Sequence, residues 1–283
     1  MIQEKVGPRQ AEQEPTELDP NVFISRLFEA QWRARNELRR AREEELEKKG
    51  EPFVERLSAA PIPNDFGDWT QVVYGDKRDG SEHEVMVYGD LQNGAIGAGE
   101  EMLVRVHSSH RPNEVWGAHT SDDKEQLEEA MKRIQKAGRG IIVYLEDEGR
   151  GHGVVGQHKQ FQNMFEWTID PQTKKHKIVQ KRDPETKEVI HTSKAYQAAG
   201  LPDEARGFKH VGHILKDLRV NSVRLMTNNL KKRDGLIEAG VNVVGIDPLD
   251  VEVKSPTAKD YQHYQRTNGN GYLPMQATVY NGR

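Results

Sequence analysis

Hydrophobic and polar positions alternate with a period of two in the first half of the chain, which predicts strands. Trp69–Tyr74 and Val85–Tyr88 alternate in this way, and Gly and Asp residues separate them. Residues 66–91 are therefore predicted to form an antiparallel hairpin. A further apolar segment, Met102–Val106, predicts another strand.

Helically spaced apolar residues then alternate with short apolar runs. Asp122 or Asp123 can cap the first helix of this region, and Gly138 can end it. Because strands that alternate with helices pair in parallel, the sequence predicts a mixed α/β (α+β) core with a partly parallel sheet. The predicted units are a helix from Asp122 to Gly138 before the strand Gly140–Leu145, a helix from Phe208 to Leu218 before the strand Ser222–Met226, and a helix ending at Gly240 before the strand Val241–Ile246.

The N-terminal region differs from the rest in composition. Residues 1–18 contain little to bury and are predicted to be a disordered or docking arm. Asp19 as a cap and Pro20 in the first turn predict a helix over residues 19–50. Its charged half, from Arg33 onward, is predicted to be solvated. Its first half carries an apolar stripe that suits packing on its own domain or on a dimer partner: Val22, Phe23, Leu27, Phe28, Ala30 and Trp32.

A charged stretch near residues 170–194 interrupts the order of helices and strands. Asp183-Pro184 predicts a turn between His176–Gln180 and Glu188–Thr192, so we interpret the stretch as an inserted hairpin. Surface decoration and a flap over a binding site are both compatible with such an insertion.

Composition excludes several classes of protein. The chain has 283 residues and no cysteine, so disulfides, thiol nucleophiles and thiolate zinc sites cannot form. Its net charge of -4, from 41 basic and 45 acidic residues, argues against a nucleic-acid-binding surface. No apolar run reaches the ~20 residues that span a bilayer, and the polar N-terminus has no signal-peptide core. We therefore expect a cytoplasmic protein without a membrane or nucleic-acid partner.

Three polar loops follow predicted strands. In open α/β sheets, ligands bind at the carboxyl ends of strands, where glycines allow close backbone approach and helix N-termini favour anions. Arg and Lys side chains in the same loops suit a phosphate group. The expected ligand is therefore a phosphorylated small molecule, bound by Arg105–Ser109, Glu148–Gly153 and Thr227–Lys232.

These loops and their surroundings resemble one known family. The segments VMVYGDL, LVRVHSS, EQLEEAMKRIQKAGRGIIVYLEDEGRGHG, EARGF and VRLMTNNLKK resemble GTP cyclohydrolase II, which opens the guanine imidazole ring in riboflavin biosynthesis. The resemblance runs from about Phe66 to Pro274. It implies a homodimer and a GTP cyclohydrolase II-like catalytic domain over residues 51–283, with an N-terminal helical extension and an insertion at about 165–195.

Matching positions imply nucleotide contacts, residue by residue. Arg105 and Ser108 match a pair that contacts phosphate, and Gln126 matches the glutamine that faces the purine. Arg206 matches the arginine that attacks or binds the α-phosphate, with Glu204 as its acidic partner. Phe161 aligns with a tyrosine of the family's ring chemistry. The remaining implied substrate contacts are Gly149, Arg150, Thr227, Asn228 and Lys232.

The resemblance breaks at the family's zinc site. The three cysteines that hold zinc in the family correspond to His110, Ser121 and Asp123 here. Because all three are replaced by unlike types, we interpret the change as loss of zinc and expect no cofactor. A different site with nitrogen and oxygen ligands, built from His107, His110, His119 and Asp123, is the alternative.

Without a metal hydroxide, the attacked ring must be a better electrophile than guanine. C6 of uracil is the end of an enone conjugated to the C4 carbonyl, so water deprotonated by a side chain can add there. The chain also resembles a branch of the family in uracil catabolism, which predicts a zinc-independent uridine 5′-monophosphate (UMP) cyclohydrolase. The candidate catalytic residues are Glu148, His152, His110, Asp123, Arg206 and Glu204.

Two other functions stay open at the level of sequence. A diverged GTP-acting enzyme would release pyrophosphate or open guanine, and the phosphate count of its preferred nucleotide would identify it. A catalytically inactive nucleotide-binding protein would bind tightly without turnover and would use the N-terminal helix as its working surface.

Overall fold

The computed structural model describes residues 20–91, 94–96, 99–253, 258–259, 262–263, 266, 271–273 and 280–281. The predicted arm over residues 1–18 and the predicted cap Asp19 lie outside the described residues. The side chains of Val22, Phe23 and Phe28 lie outside them as well.

The described strands form one mixed sheet of eight strands and a separate pair. In chain order the strands are β1 (Val54–Asn64), β2 (Gly67–Asp76), β3 (Glu82–Tyr88), β4 (Met102–Ser108), β5 (Gly140–Leu145), β6 (Phe165–Ile169), β7 (His176–Gln180), β8 (Val223–Met226), β9 (Val243–Asp247) and β10 (Tyr280–Asn281). The large sheet has the order β1-β2-β3-β5-β4-β8-β9-β10. Its centre, β5-β4-β8-β9, is parallel, and β1, β2, β3 and β10 pair antiparallel.

Helices cover both faces of this sheet. They are α1 (Pro20–Lys49), α2 (Arg111–Glu114), α3 (Asp123–Ala137), α4 (Gly153–Met164), α5 (Thr192–Ala198), α6 (Lys209–Asp217) and α7 (Leu230–Glu238). Ile134 of α3 packs with Ile142 on one face, and Ile214 and Leu218 of α6 pack with Leu225 on the other. The predicted mixed α/β architecture is confirmed. Among the residues that the structure describes, no helix combines the length and apolar character needed to cross a membrane.

The edge strand β1 has no counterpart in the sequence-based prediction. It contains Pro61 and Pro63, and nearly all of its side chains are partly or fully exposed, so it lacks the buried alternation that marks a strand. An edge strand hydrogen-bonds along one side only and therefore tolerates proline. Pairing with β2 supplies the extended conformation instead, and the predicted hairpin becomes a three-stranded meander.

The insertion forms a hairpin, but its strands differ from the predicted pair. Segment β7 does coincide with the predicted strand His176–Gln180, yet it pairs with β6 rather than with Glu188–Thr192. The turn at Asp183-Pro184 supports only an isolated bridge between Arg182 and Val189. Asp170 accepts hydrogen bonds from the amides of Gln172 and Thr173, so a turn earlier in the chain joins β6 to β7.

The charged half of α1 is not simply solvated, contrary to expectation. Arg39 lies 3.8 Å from Asp79 and 4.0 Å from Asp147, and Glu43 lies 3.1 Å from Arg78. The face that meets the domain repeats at helical spacing and consists of Trp32, Asn36, Arg39, Glu43 and Leu46. The described part of α1 therefore packs on its own domain, largely through polar contacts.

Candidate functional site

A polar cavity lies where β4, β5 and β8 end. Because these strands are parallel neighbours, their carboxyl ends meet at one edge of the sheet, as the sequence predicted. Thirteen of the candidate contact, catalytic or metal-site residues from the sequence line this cavity: Arg105, His107, Ser108, His110, Ser121, Asp123, Gln126, Gly149, Arg150, Arg206, Thr227, Asn228 and Lys232.

Arg206 presents a fixed guanidinium group to the cavity. Its Nε and Nη2 atoms donate to the two carboxylate oxygens of Glu204 at 2.6 and 2.5 Å, and its Nη1 donates to the Ser108 hydroxyl at 3.0 Å. Burial would raise the pKa of Glu204, but the hydrogen bonds from Arg206 outweigh it and lower that pKa. Glu204 itself does not line the cavity. It orients Arg206, whose guanidinium suits bidentate binding of a phosphate.

The glycine-rich loop after β5 turns through left-handed backbone conformations. Gly149, Arg150 and Gly151 have φ values of 60°, 57° and 85°. A Cβ on Gly149 would lie 2.9 Å from the Cβ of Gln157, so this position requires glycine. The strained turn directs Arg150 toward Asp203 and over the ring of Tyr196, with its guanidinium carbon 5.8 Å from the ring centroid.

Helix α7 begins at the cavity and brings a buried lysine with it. Asn229 caps the helix, its side-chain oxygen accepting from the amides of Lys231 and Lys232. The Lys232 ammonium lies among positive neighbours: burial, Arg105 and Arg206 hold its pKa well below the ordinary value. An anion bound here would offset both the cost of burying the ammonium group and its repulsion by Arg105 and Arg206.

Two predicted ligand contacts on the preceding loop are engaged within the protein. Asn228 exchanges two hydrogen bonds with the backbone of Leu249, at 2.7 and 2.8 Å. The Thr227 hydroxyl accepts from the amide of Asn229 at 3.1 Å. These side chains therefore shape the loop.

Arg105 and Gln126 form a second fixed pair. Arg105 is buried on β4, and its Nη2 donates to the Gln126 carbonyl oxygen at 2.8 Å while Nη1 donates to the backbone of Met226 at 3.1 Å. The Gln126 carbonyl oxygen thus already has a protein partner.

The corner where the family's cysteines align brings His110, Ser121 and Asp123 together. The His110 Nδ1 atom lies 3.5 Å from the Ser121 hydroxyl and 3.8 Å from the Asp123 carboxylate. Burial would raise the pKa of Asp123, but the nearby His110 and His107 outweigh it and lower that pKa. Burial and the charge of Asp123 raise the pKa of the adjacent Asp122. Within this carboxyl pair, the surroundings favour ionisation of Asp123 over that of Asp122. Neither one makes the helix-capping hydrogen bond expected from the sequence.

The corner does not fit a zinc ion. Zinc sites in proteins use at least three Cys, His, Asp or Glu ligands, and here one of the three positions is a serine. The alternative with His107 and His119 is not assembled: within the described ranges, no group of three His, Asp or Glu side chains is placed to hold a metal. Instead, His107 is 2.6 Å from the Glu114 carboxylate.

Three further predicted residues lie behind the cavity wall. Glu148 accepts from the Arg111 amide at 2.9 Å, and burial raises its pKa. His152 directs Nε2 to the Pro202 carbonyl at 2.8 Å and packs against Trp32 and Tyr196, with ring centroids 5.5 and 5.1 Å away. Burial lowers the pKa of His152. The Phe161 ring lies edge-on to His110, 6.3 Å between centroids.

The cavity also contains residues that sequence reasoning missed. Gln157 and Gln160 line it from α4, and both are buried. Their spacing of three on the helix that follows the glycine-rich loop is the signal that could have found them. The other overlooked lining residues include Tyr196, Thr192 and Tyr272. Thr192 and Tyr196 belong to α5, at the end of the insertion, whereas β6 and β7 contribute no lining residue.

Comparisons with known proteins match most of this chain. The family model described as GTP cyclohydrolase II matches residues 55–248. A riboflavin biosynthesis protein RibBA from Mycobacteroides abscessus is 36% identical over 214 residues, which is 75% of this chain and 45% of the relative. RibBA from Bacillus subtilis is 32% identical over 221 residues, 78% of this chain and 48% of the relative. The chain thus spans about half the length of these curated relatives.

Proposed function

Because the chain belongs to the GTP cyclohydrolase II family, we propose that it is a cyclohydrolase, a hydrolase that opens the base ring of a nucleotide. The proposed substrate is UMP, opened without zinc, by a cytoplasmic homodimer in uracil catabolism. The choice of UMP as substrate and the independence from zinc rest on one observation. The cavity keeps the family's cationic residues but holds a carboxylate, an imidazole and a hydroxyl where the family has thiolates.

The phosphate is proposed to lie between Arg206, Lys232 and the first turn of α7. Arg206 offers a guanidinium already oriented by Glu204, and Lys232 offers an ammonium that burial destabilises in the absence of an anion. The helix N-terminus adds backbone amides and the positive end of its dipole. A monophosphate dianion is matched by these groups without a magnesium ion.

The base is proposed to lie toward Asp123 and His110. Asp123 is proposed to take a proton from water: the imidazoles of His110 and His107 favour its ionised form, so the carboxylate is available to accept one. The hydroxyl of that water bonds to C6 of uracil, and the electrons of the C5–C6 double bond move toward the C4 carbonyl before C5 takes up a proton. Addition at C6 thus gives a carbinolamine.

Ring opening follows from the carbinolamine. The C6–N1 bond breaks, the hydroxyl at C6 loses its proton and becomes an aldehyde, and N1 takes up a proton. The product is a ribosylurea phosphate that carries a three-carbon aldehyde acyl group on its other nitrogen, with a net gain of one water. No step requires an oxidant, a reductant or a metal.

Zinc independence is supported by the donor set. A serine hydroxyl replaces one thiolate, and the remaining pair, His110 and Asp123, falls short of the three protein ligands that a catalytic zinc needs. Attack at C8 of guanine depends on a metal hydroxide in the family, whereas attack at C6 of uracil depends on a base and on donors for the carbonyl oxygens.

The test uses metal-stripped protein in chelator with UMP, GTP and a panel of other nucleotides. Base absorbance is followed together with product mass. Loss of the uracil absorbance with a mass gain of one water is the expected result. Conversion of GTP alone, to GMP and pyrophosphate, would overturn the substrate and favour a diverged GTP enzyme. No conversion of any nucleotide, even after zinc is restored, would favour an inactive nucleotide-binding protein.

A further inference from the structure

Two glutamines on helix α4 face the cavity, and nothing in the phosphate site or the Asp123 corner accounts for them. Gln157 and Gln160 are 2% and 4% exposed. Both line the cavity beside the glycine-rich loop. Residues three apart on a helix lie on the same face, so the two amides reach the cavity side by side.

The Gln157 side chain is buried, and the oxygen of its amide is available to a ligand. Its carbonyl oxygen, Oε1, is buried and has no hydrogen-bond partner among the described residues. A buried acceptor without a donor costs free energy, which a ligand N–H would recover.

The Gln160 side chain makes only a weak hydrogen bond to a neighbouring side chain. Its NH₂ group donates to the Met164 sulfur, and a thioether is a poor acceptor. That leaves an amide donor available for a better acceptor. Gln126, the expected base contact, differs from Gln157, because its carbonyl oxygen accepts a hydrogen bond from Arg105.

We propose that Gln157 and Gln160 select the base by its hydrogen-bonding edge: the Gln157 carbonyl accepts the ring N–H, and the Gln160 NH₂ donates to the adjacent ring carbonyl. This inference rests on the proposed function and adds the specificity of the same site. Uracil presents N3–H beside a carbonyl oxygen and fits. Cytosine presents an unprotonated N3, which places an acceptor against the Gln157 acceptor, and a methyl group on N3 of uracil removes the donor.

Glycine at position 149 supports this arrangement. Because glycine has no side chain, the loop packs directly on Gln157. A Cβ at position 149 would lie 3.2 Å from the backbone nitrogen of Gln157. Close packing of the loop fixes the backbone of Gln157. The unpaired carbonyl is therefore held in place before a base arrives, which lowers the cost of ordering it on binding.

The test measures binding of UMP, cytidine 5′-monophosphate and 3-methyl-UMP by calorimetry, in an Asp123→Asn background that prevents turnover. UMP should bind about tenfold to a hundredfold more tightly than either analogue. Gln157→Leu, similar in size but without an acceptor, should bring the three affinities together. Gln162→Leu is the matched control, since Gln162 is exposed on the same helix. It should keep the full discrimination.

Equal affinity for the three nucleotides in the background protein, or undiminished discrimination in Gln157→Leu, would overturn the inference. The comparison of nucleotides needs no substitution on α4, so it stands even where Gln157→Leu fails to fold. The proposed function fails separately: discrimination that depends on Gln157, without turnover of UMP by the unsubstituted protein, would retain the edge recognition and remove the cyclohydrolase. Turnover of UMP with discrimination independent of Gln157 would retain the cyclohydrolase and remove the role of Gln157 in base recognition.

Discussion

The Nζ atom of Lys232 donates a hydrogen bond to the main-chain carbonyl oxygen of Val106 over 2.8 Å. This bond ties the first turn of α7 to the end of the central strand β4 and fixes the ammonium group at the floor of the cavity. The position is unfavourable for a charge, since burial and the cations Arg105 and Arg206 lower the pKa of Lys232. Phosphate binding should reverse that effect.

Binding of UMP is therefore expected to take up a proton at Lys232 as the pH rises through the lowered pKa of that lysine. The bound anion raises the lowered pKa of the lysine, so protons are taken up at pH values between the free and bound pKa values. The phosphate itself is a dianion at pH 8, because its second pKa is about 6, and it contributes no uptake. Calorimetric titrations in two buffers with different ionisation enthalpies measure the uptake. It should vanish in Lys232→Met and persist in Lys231→Met, which alters an exposed neighbour. Identical uptake in both variants would exclude Lys232 as the source.

Arg206→Ala should weaken UMP binding about tenfold to a hundredfold. A hydrogen bond to a charged group contributes about 1.5–3 kcal/mol, and the change also leaves the Glu204 carboxylate unpaired near the phosphate. Dissociation constants from calorimetry measure the effect. Arg42→Ala is the control, because Arg42 lies on α1 and pairs only with Glu45 among the described ion pairs. Unchanged affinity in both Arg206→Ala and Lys232→Ala would remove the phosphate site from this end of the cavity.

Asp123→Asn should lower kcat for UMP about a hundredfold or more and leave UMP affinity nearly unchanged. A general base contributes about 10²–10⁴ in rate, and asparagine keeps the shape of the side chain without its basicity. Asp122→Asn is the matched control. Asp122 is the adjacent buried carboxyl, so this variant removes a neighbouring carboxylate rather than the proposed base and should keep kcat. Full activity in Asp123→Asn would transfer the role of base to Glu148 or His152.

Asp76→Asn should destabilise the folded protein by about 3 kcal/mol at pH 7, because it leaves the buried Arg78 without its principal partner. Burial would raise the pKa of Asp76, but hydrogen bonds from His83 and Arg78 outweigh it and hold the pKa well below its ordinary value. The ionised carboxylate therefore stabilises the fold fully above the pKa of an unfolded aspartate, about 4. Urea unfolding should show the difference between wild type and Asp76→Asn shrinking as the pH falls below that value. Asp68→Asn, exposed on the same strand, should have little effect at any pH. A difference that is constant with pH would contradict the assignment.

The sequence alone determined the central elements and the place of the cavity. The helix that ends at Gly138, the strand Gly140–Leu145 and the second helix–strand unit all follow from local periodicity and from caps within a few residues. Parallel pairing then brings the polar loops to one edge, whatever the details of packing. The replacement of the family's three cysteines by His110, Ser121 and Asp123 could also be read from the sequence, because residue identity does not depend on the fold.

Pairing between distant segments was decided by the tertiary structure. β1 is extended because β2 lies beside it, and β7 pairs with β6 because a turn at Asp170 brings the two together. Neither partner can be read from the residues of the strand itself.

The direction of each site side chain was decided in the same way. Glu148 and His152 belong to the loop that shapes the cavity, yet contacts with Arg111 and Pro202 turn them away from it. The carbonyl oxygen of Gln126 accepts a hydrogen bond from Arg105, whereas that of Gln157 has no hydrogen-bond partner among the described residues. A pattern of residue types fixes which groups are near a site. Which of them remain available to a ligand depends on hydrogen bonds between segments far apart in the chain, and those exist only once the chain has folded.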